Sequence, residues 1–289
     1  MESDNYKIQI KNIFSDAECA QIDELNKVCF EYNGIYLKLE LEFKKQVQNI
    51  ISEHPENMNE FLCFDGTRLI GYASILSFDS KEAEITGMVH PDYRRHGVFA
   101  KLFDKVKSEC AKRQFESILL LADDKSESGI GFIQSAGGKY KTSEYQMELA
   151  PIQIAEVSGG ISLSPAKPED LPEIRRQDKM YFGSGDLFED EISENFVTYV
   201  IRLENKIIGK IKVDYSEEVP YVGGFGILPG YRGKGYGRQA LLQTVNFISI
   251  KGYNKCRLEV ETANSNALHL YESCGFRQKS VMNYYSYSI

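Results

Sequence analysis

The segment Gly226-Ile227-Leu228-Pro229-Gly230-Tyr231-Arg232-Gly233-Lys234-Gly235-Tyr236-Gly237-Arg238 carries the residues best suited to chemistry. Its glycines let the backbone turn tightly from a strand into a helix, whose first N–H groups have no partner inside the helix. With the helix dipole and the side chains of Arg232, Lys234 and Arg238, those donors form an anion site suited to a phosphate or pyrophosphate. An ATPase-type phosphate loop needs Lys and then Ser or Thr after the last glycine, and Arg238-Gln239 follow instead. A dinucleotide fingerprint needs a third glycine where Arg238 stands, although Glu259, 24 residues past Gly235, has the place of its ribose-binding acid. A glycine-rich turn bearing solvated cations is the alternative that requires no ligand.

The elements that must position this loop occur twice. Adding 138 to first-half positions gives Ile70/Ile208, Gly71/Gly209, Pro91/Pro229, Tyr93/Tyr231, Arg94/Arg232, Gly97/Gly235 and Gly137/Gly275, all on one diagonal. Residues 68–77 and 206–214 read as strands after the turns Asp65-Gly66 and Glu204-Asn205. Strands ending at Val89 and Leu228 precede the loops. Apolar steps of three and four at Phe99, Leu102, Phe103, Val106 and Cys110, and at Leu241, Leu242, Val245 and Ile248, predict helices, the second ended by Gly252. Cys256, Leu258 and Val260 alternate with Arg257, Glu259 and Glu261 as a half-buried strand, and 118–122 is its apolar counterpart. Each copy is therefore strand, turn, helix, strand, helix around a mixed sheet. A first domain over 1–150, a linker over 151–160 containing Ser158-Gly159-Gly160, and a second domain over 161–289 are expected. Glu40, Glu42, Lys44 and Lys45 read as the solvated face of a helix.

The totals agree with two domains: 289 residues, 42% apolar, 26% charged, and a glycine plus proline count of 31 that excludes fibrous and disordered classes. The net charge of -8 argues against nucleic acid as a partner, and the imbalance lies in residues 1–150 (18 basic, 25 acidic, net -7) against 16 and 17 in the remainder. Six scattered cysteines suggest neither disulfides nor a metal cluster and read as buried hydrophobes. No apolar run is long enough for a membrane span, and Met1-Glu2-Ser3-Asp4 lacks the pattern of a signal peptide, so a cytoplasmic location is expected.

Arg-x-x-Gly-x-Gly after an Ile-Leu-Pro strand end, followed by Asn264-x-x-Ala267-x-x-Leu270-Tyr271-x-x-x-Gly275-Phe276, resembles the two signatures of the GNAT acetyltransferase superfamily. The resemblance covers 161–289 and extends through the repeat to the first half, a tandem arrangement similar to that of mycothiol synthases. It implies an α/β fold with two tandem acyl-coenzyme A N-acyltransferase units, each a mostly antiparallel sheet with a central parallel pair flanked by helices. It implies acetyl-coenzyme A as co-substrate, no metal, and acyl transfer to a primary amine on a small molecule, peptide or protein. By the same resemblance Arg232, Gly233, Lys234, Gly235, Tyr236, Gly237 and Arg238 hold the pyrophosphate. Ile227 and Leu228 bind the pantetheine arm and polarise the thioester carbonyl, Asn264 contacts the arm, and Tyr271 is the general acid to the departing thiolate.

No base is singled out: Glu259 and Glu261 share a strand face beside the expected cleft, and water is the alternative. Asp186, Glu189, Asp190, Glu191 and Glu194 form an acidic stretch that would attract a cationic amine, or a solvated loop. The first copy departs from the pattern. Val89, Arg94, Arg95, His96, Gly97 and Val98 keep the loop, but Phe99 replaces the last glycine, Ile133 stands for Tyr271 and Ser126 for Asn264. The second copy is expected to catalyse, and the first to be structural, regulatory or a further acyl-coenzyme A site. An acyl-coenzyme A sensor, a pseudoenzyme and an O-acetyltransferase are the alternatives.

Overall fold

The computed structural model describes residues 6–77, 81–157, 159–182 and 195–288. In chain order the elements are β1 (Lys7–Lys11), α1 (Asp16–Asn33), α2 (Leu41–Gln46), α3 (Gln48–Ser52), β2 (Glu60–Asp65), β3 (Arg68–Leu76), β4 (Glu82–Val89), α4 (Val98–Lys112), β5 (Ser117–Asp123), α5 (Glu127–Ala136) and β6 (Lys139–Leu149). They continue as β7 (Ile161–Pro165), α6 (Leu171–Phe182), β8 (Phe196–Leu203), β9 (Lys206–Asp214), β10 (Tyr221–Ile227), α7 (Tyr236–Ile250), β11 (Cys256–Glu261), α8 (Ser265–Ser273) and β12 (Arg277–Tyr287). The strands and helices expected on both sides of the repeat are present, and Gly252, at φ 95°, follows the end of α7. Among the described residues no helix is long and apolar enough to cross a membrane.

Two compact units result, Met1–Ser143 with Met282–Ile289, and Glu144–Val281. In unit 1 the strands run β1-β2-β3-β4-β5-β12, antiparallel except for the parallel pair β4/β5. Unit 2 repeats this as β7-β8-β9-β10-β11-β6, with β10/β11 parallel. The final strands are exchanged. β6 and β12 stand 138 residues apart, yet Met282–Tyr287 of β12 pair with β5 of unit 1, while 144–149 of β6 pair with β11 of unit 2. The unit boundary therefore falls inside β6, between Ser143 and Glu144, and not in the 151–160 segment expected as a linker. An antiparallel ladder is formed by backbone groups common to both strands, so either pairing satisfies it.

Local sequence explains the helices. Ser15 caps α1, its hydroxyl accepting from the Glu18 N–H while the Glu18 carboxylate accepts from the Ser15 N–H, and Gly34 closes the helix at φ 66°. α4 buries Val98, Leu102, Phe103, Val106 and Cys110 against Phe61, Ala73, Ile85 and Ile118. α7 buries Ala240, Leu241, Val245 and Ile248 against Ile208, Ile211 and Leu258. All six cysteines are buried and unpaired, as expected of small hydrophobes.

Lys44 differs from expectation. Its ammonium is 3% exposed, 3.0 Å from the Glu60 carboxylate, and donates to the Tyr72 hydroxyl at 3.1 Å. Tyr72 in turn donates to Glu60. The three groups satisfy one another out of water, which is what permits a lysine at 3% exposure.

One phenyl ring sits between strand and helix at matching positions in each unit, supplied from opposite sides. In unit 1 Phe99 of α4 lies over Gly87 of β4, where an added Cβ would come within 2.5 Å of the ring, and it meets Phe132 edge to face at 4.8 Å. In unit 2 the pair is reversed: Phe225 is on β10 and Gly237 on α7, where an added Cβ would lie 3.7 Å from the Phe225 ring. Phe99 is thus half of a compensated pair and not simply a lost glycine.

Two stability outcomes are expected. Tyr285→Ala, near the chain end, should destabilise unit 1 by about 3 kcal/mol by emptying a buried aromatic site. Hydrogen exchange should rise in β4 and β5 and stay unchanged in β10 and β11; the opposite distribution would refute the strand exchange. Gly237→Phe should cost about 1–3 kcal/mol by overpacking, and Phe225→Gly in the same chain should recover part of that cost, read as a positive coupling in denaturant melts.

Candidate functional site

The site of unit 2 begins where the parallel pair opens. Between β10 and β11 the register is Tyr221 against Arg257, and β10 bulges away from β9 between Gly223 and Gly226. At the strand end the Leu228 N–H donates to the Ile208 carbonyl at 2.8 Å. Alternation along the ladder then leaves the N–H and C=O of Ile227 on the open side. The Ile227 carbonyl accepts from Arg232 Nε at 2.7 Å. Of the two residues expected to offer a carbonyl-polarising N–H, Leu228 is committed to the sheet and Ile227 retains an outward one.

A single 3-10 turn over Pro229–Tyr231 follows, then Gly233 and Gly235 at φ 73° and 81°, left-handed conformations that suit glycine. The first bond of α7 runs from the Gln239 N–H to the Gly235 carbonyl at 3.1 Å. Among the described residues, the N–H groups of 233–238 have no acceptor, and no side chain caps this helix.

The cations are tied to the frame. The Arg232 guanidinium braces Ile227 and lies 6.0 Å from the Tyr181 ring centre. Lys234 Nζ donates to the Gly230 carbonyl at 3.2 Å, and Arg238 donates to the Ser273 carbonyl at 3.0 Å, linking α7 to the end of α8. An anion at this helix start would therefore meet chiefly main-chain donors, backed by these charges.

Asn264 is the N-cap of α8, its Oδ1 accepting from the Ala267 N–H at 3.2 Å, which leaves its Nδ2 as the outward group. Tyr271, on α8, is 9% exposed and belongs to the same buried cluster as Ile227, Leu258 and Val260. Burial pushes its phenol up to about 12, because the low-dielectric surroundings disfavour the anion. Among the described residues its hydroxyl has no hydrogen-bond partner. Glu259 and Glu261 lie on one face of β11, opposite Leu258 and Val260, and Glu259 accepts from Gln146 Nε2 at 3.2 Å. The acidic stretch from Asp186 to Glu194 lies outside the described residues.

Three residues at the bulge were not singled out by the sequence. Tyr181 covers Gly226, where a Cβ would come within 2.4 Å of its ring. Lys210 is wholly buried, 2.5 Å from Asp178, and donates to the Gly224 carbonyl at 3.3 Å. Lys210 alternates with apolar neighbours as a lysine on any solvent-facing strand does, so only tertiary contacts reveal its role in holding the bulge.

Unit 1 repeats the frame with other contents. β4 and β5 stay paired to Ile85 against Leu120 and then separate. The His90 N–H donates to the Ile70 carbonyl at 2.8 Å, and Arg94 Nε braces the Val89 carbonyl at 3.1 Å. Arg95 takes the left-handed conformation of Gly233, at φ 68°, while Arg95, His96 and Gly97 are exposed and Val98 is buried. A cavity of about 520 Å³ opens here, lined by Val89, Arg94, Arg95, Gly97, Val98 and Phe99, with Ser126 and Ile133 on its wall. Ser126 caps α5 as Asn264 caps α8, and Ile133 presents hydrocarbon where unit 2 has a phenol. Among the described residues no group of three metal-ligating side chains is gathered.

The acetyltransferase (GNAT) family profile matches residues 20–137 and 163–276. An uncharacterized N-acetyltransferase, YycN, of Bacillus subtilis is 34% identical over 83 residues, 27% of this chain and 53% of the relative, so the match spans about half the length of that protein. A GCN5-related N-acetyltransferase from Sphaerobacter thermophilus superposes with a TM-score of 0.79 at 15% identity, covering 99% of this chain and 96% of that one. A tandem GNAT protein from the clavulanic acid biosynthesis pathway does so with 0.74 at 12% identity, covering 98% of each chain. Two family matches, one over the greater part of each half of the repeat, together with tandem relatives of the same fold, make this chain a member of the GNAT acetyltransferase family.

Proposed function

We propose that unit 2 is an acetyl-coenzyme A-dependent N-acetyltransferase that passes the acyl group directly to a primary amine. The observation that carries this is the run of N–H groups over 233–238 without acceptors among the described residues, beside a parallel strand pair that opens at β10 and β11. These donors fit a pyrophosphate, and the open side of β10 fits an extended amide-bearing arm. Gly233, Lys234, Gly235, Tyr236, Gly237 and Arg238 would hold the pyrophosphate, Arg232 would keep the strand end in place, and Asn264 Nδ2 would meet the arm.

The donor supplies an activated acyl group on sulfur. The amine nitrogen bonds to the acyl carbon as the carbon–sulfur bond breaks, and the nitrogen's surplus proton leaves to water or to a base. The Ile227 N–H is aimed toward the open side, where negative charge develops on the acyl oxygen. Tyr271 keeps its proton through the neutral range because burial holds its phenol near 12. Burial makes this phenol a weaker acid than usual, so Tyr271 acts first as a hydrogen-bond donor to the departing sulfur. The acceptor is a small-molecule, peptide or protein amine, and the carboxylates of Glu259 and Glu261 on β11 are candidates to receive its proton.

Tyr271→Phe should lower kcat about 100-fold in a thiol-release assay while KM for the acyl donor changes less than about threefold. Unchanged turnover would remove Tyr271 from the reaction, and no amine-dependent release from the native protein would favour a binding protein over an enzyme. Since the phenol's pKa is raised, its deprotonation cannot depress activity at ordinary alkaline pH. The ratio of native to Tyr271→Phe turnover should stay constant between about pH 7 and 10 and fall only as the pH nears 12.

A further inference from the structure

The cavity of unit 1 is charged at its rim and apolar at its floor. Arg95, Gly97 and Ala100 are exposed at the rim, beside the start of α4, whose first bond runs from the Lys101 N–H to the Gly97 carbonyl. The N–H groups of 98–100 precede that bond and have no acceptor among the described residues. The floor is made by Ile35, Leu37, Ile85, Met88 and Leu121, with Cys29 beside them. Met88 and Leu121 point to the opposite sheet face from Ile85 and Leu120, so the space passes between the opened strands from one face to the other.

Comparison across the repeat sharpens this contrast. The positions of Ile85, Met88 and Leu121 are held in unit 2 by Gly223, Gly226 and Glu259, and Ile133 answers to Tyr271. Where unit 2 offers glycines, a carboxylate and a phenol, unit 1 offers four apolar side chains. These positions carry neither the carboxylate nor the phenol of unit 2, and an apolar floor favours an apolar chain.

We propose that unit 1 is a non-catalytic binding site for a coenzyme A thioester whose acyl chain is apolar and longer than acetyl. The anionic head lies at the α4 N-terminus and Arg95, and the acyl chain lies between Leu37, Met88 and Leu121. This rests on taking the Arg/Gly loop as a coenzyme A site, as in the function proposed for unit 2. The cavity of about 520 Å³ has room for the acyl chain and the adjoining part of the arm, with the nucleotide left outside the rim.

Calorimetric titration of the full chain with octanoyl-coenzyme A, acetyl-coenzyme A, coenzyme A and octanoate tests it, with hydrogen exchange locating each ligand. Octanoyl-coenzyme A should protect β4, β5 and α4 and bind there at least about tenfold more tightly than acetyl-coenzyme A, since six further methylenes leave water. Leu37→Phe, at a half-buried position, should shrink that preference below about threefold without weakening acetyl-coenzyme A; Ile35→Phe serves if the first variant does not fold. Equal affinities, or an unchanged preference in a folded filled-cavity variant, overturn the proposal. Octanoate binding as tightly as its thioester assigns a free amphiphile and also overturns it. Protection confined to β10, β11 and α7 overturns it while leaving the function of unit 2 intact, whereas no protection by any coenzyme in either unit removes the shared basis of both.

Discussion

A guanidinium bound to the last carbonyl of an opened strand organises both units. Arg232 reaches Ile227 at 2.7 Å and Arg94 reaches Val89 at 3.1 Å. Each parallel pair separates before its end, which strips one strand of a ladder partner and leaves main-chain groups that must find other acceptors or donors. The arginine satisfies the carbonyl from the loop itself, and the N–H stays available. The same bond holds the loop against the strand, so the helix that follows starts beside the opening with its first donors unspent. Strand end, loop and helix start therefore form one frame whose unspent main-chain donors face the opening.

The two copies keep this frame and alter what it encloses. Exchange of Gly87/Phe99 for Phe225/Gly237 places one ring at the strand–helix contact in either unit, so packing there is conserved while no residue is. Behind the opening the chemistry diverges. Unit 2 has a bulge held by Lys210 and Asp178, a capping ring from Tyr181, and a buried phenol. Unit 1 has apolar side chains on the corresponding strands and a buried Lys44, Glu60 and Tyr72 triad on the sheet face beside α2. The difference between Tyr271 and Ile133 is thus part of a wider contrast between polar groups in unit 2 and apolar ones in unit 1.

Much of this was legible in the sequence. Glycine and arginine at a constant offset announce the loop, since a left-handed turn and a guanidinium brace each demand one residue type. Hydrophobic periods of two, and steps of three and four, place strands and helices because burial of one face is a local pattern. Lys44 and Lys210 were not legible. A lysine alternating with apolar neighbours has the same pattern whether it meets water or a buried carboxylate, and the partner lies 16 or 32 residues away.

By itself the sequence determined that there are two related units, where each loop lies, and which copy retains a phenol and an amide at the second signature. These follow from residue identity and spacing along the chain. Tertiary structure alone decided that β6 and β12 change places, that Leu228 is spent on the sheet while Ile227 is not, and that the first copy encloses an apolar-floored cavity. The physical reason is common to all three. Backbone hydrogen bonds and enclosed volume depend on which segments meet in space, and equivalent strands of a repeat offer the same donors and acceptors to either neighbour.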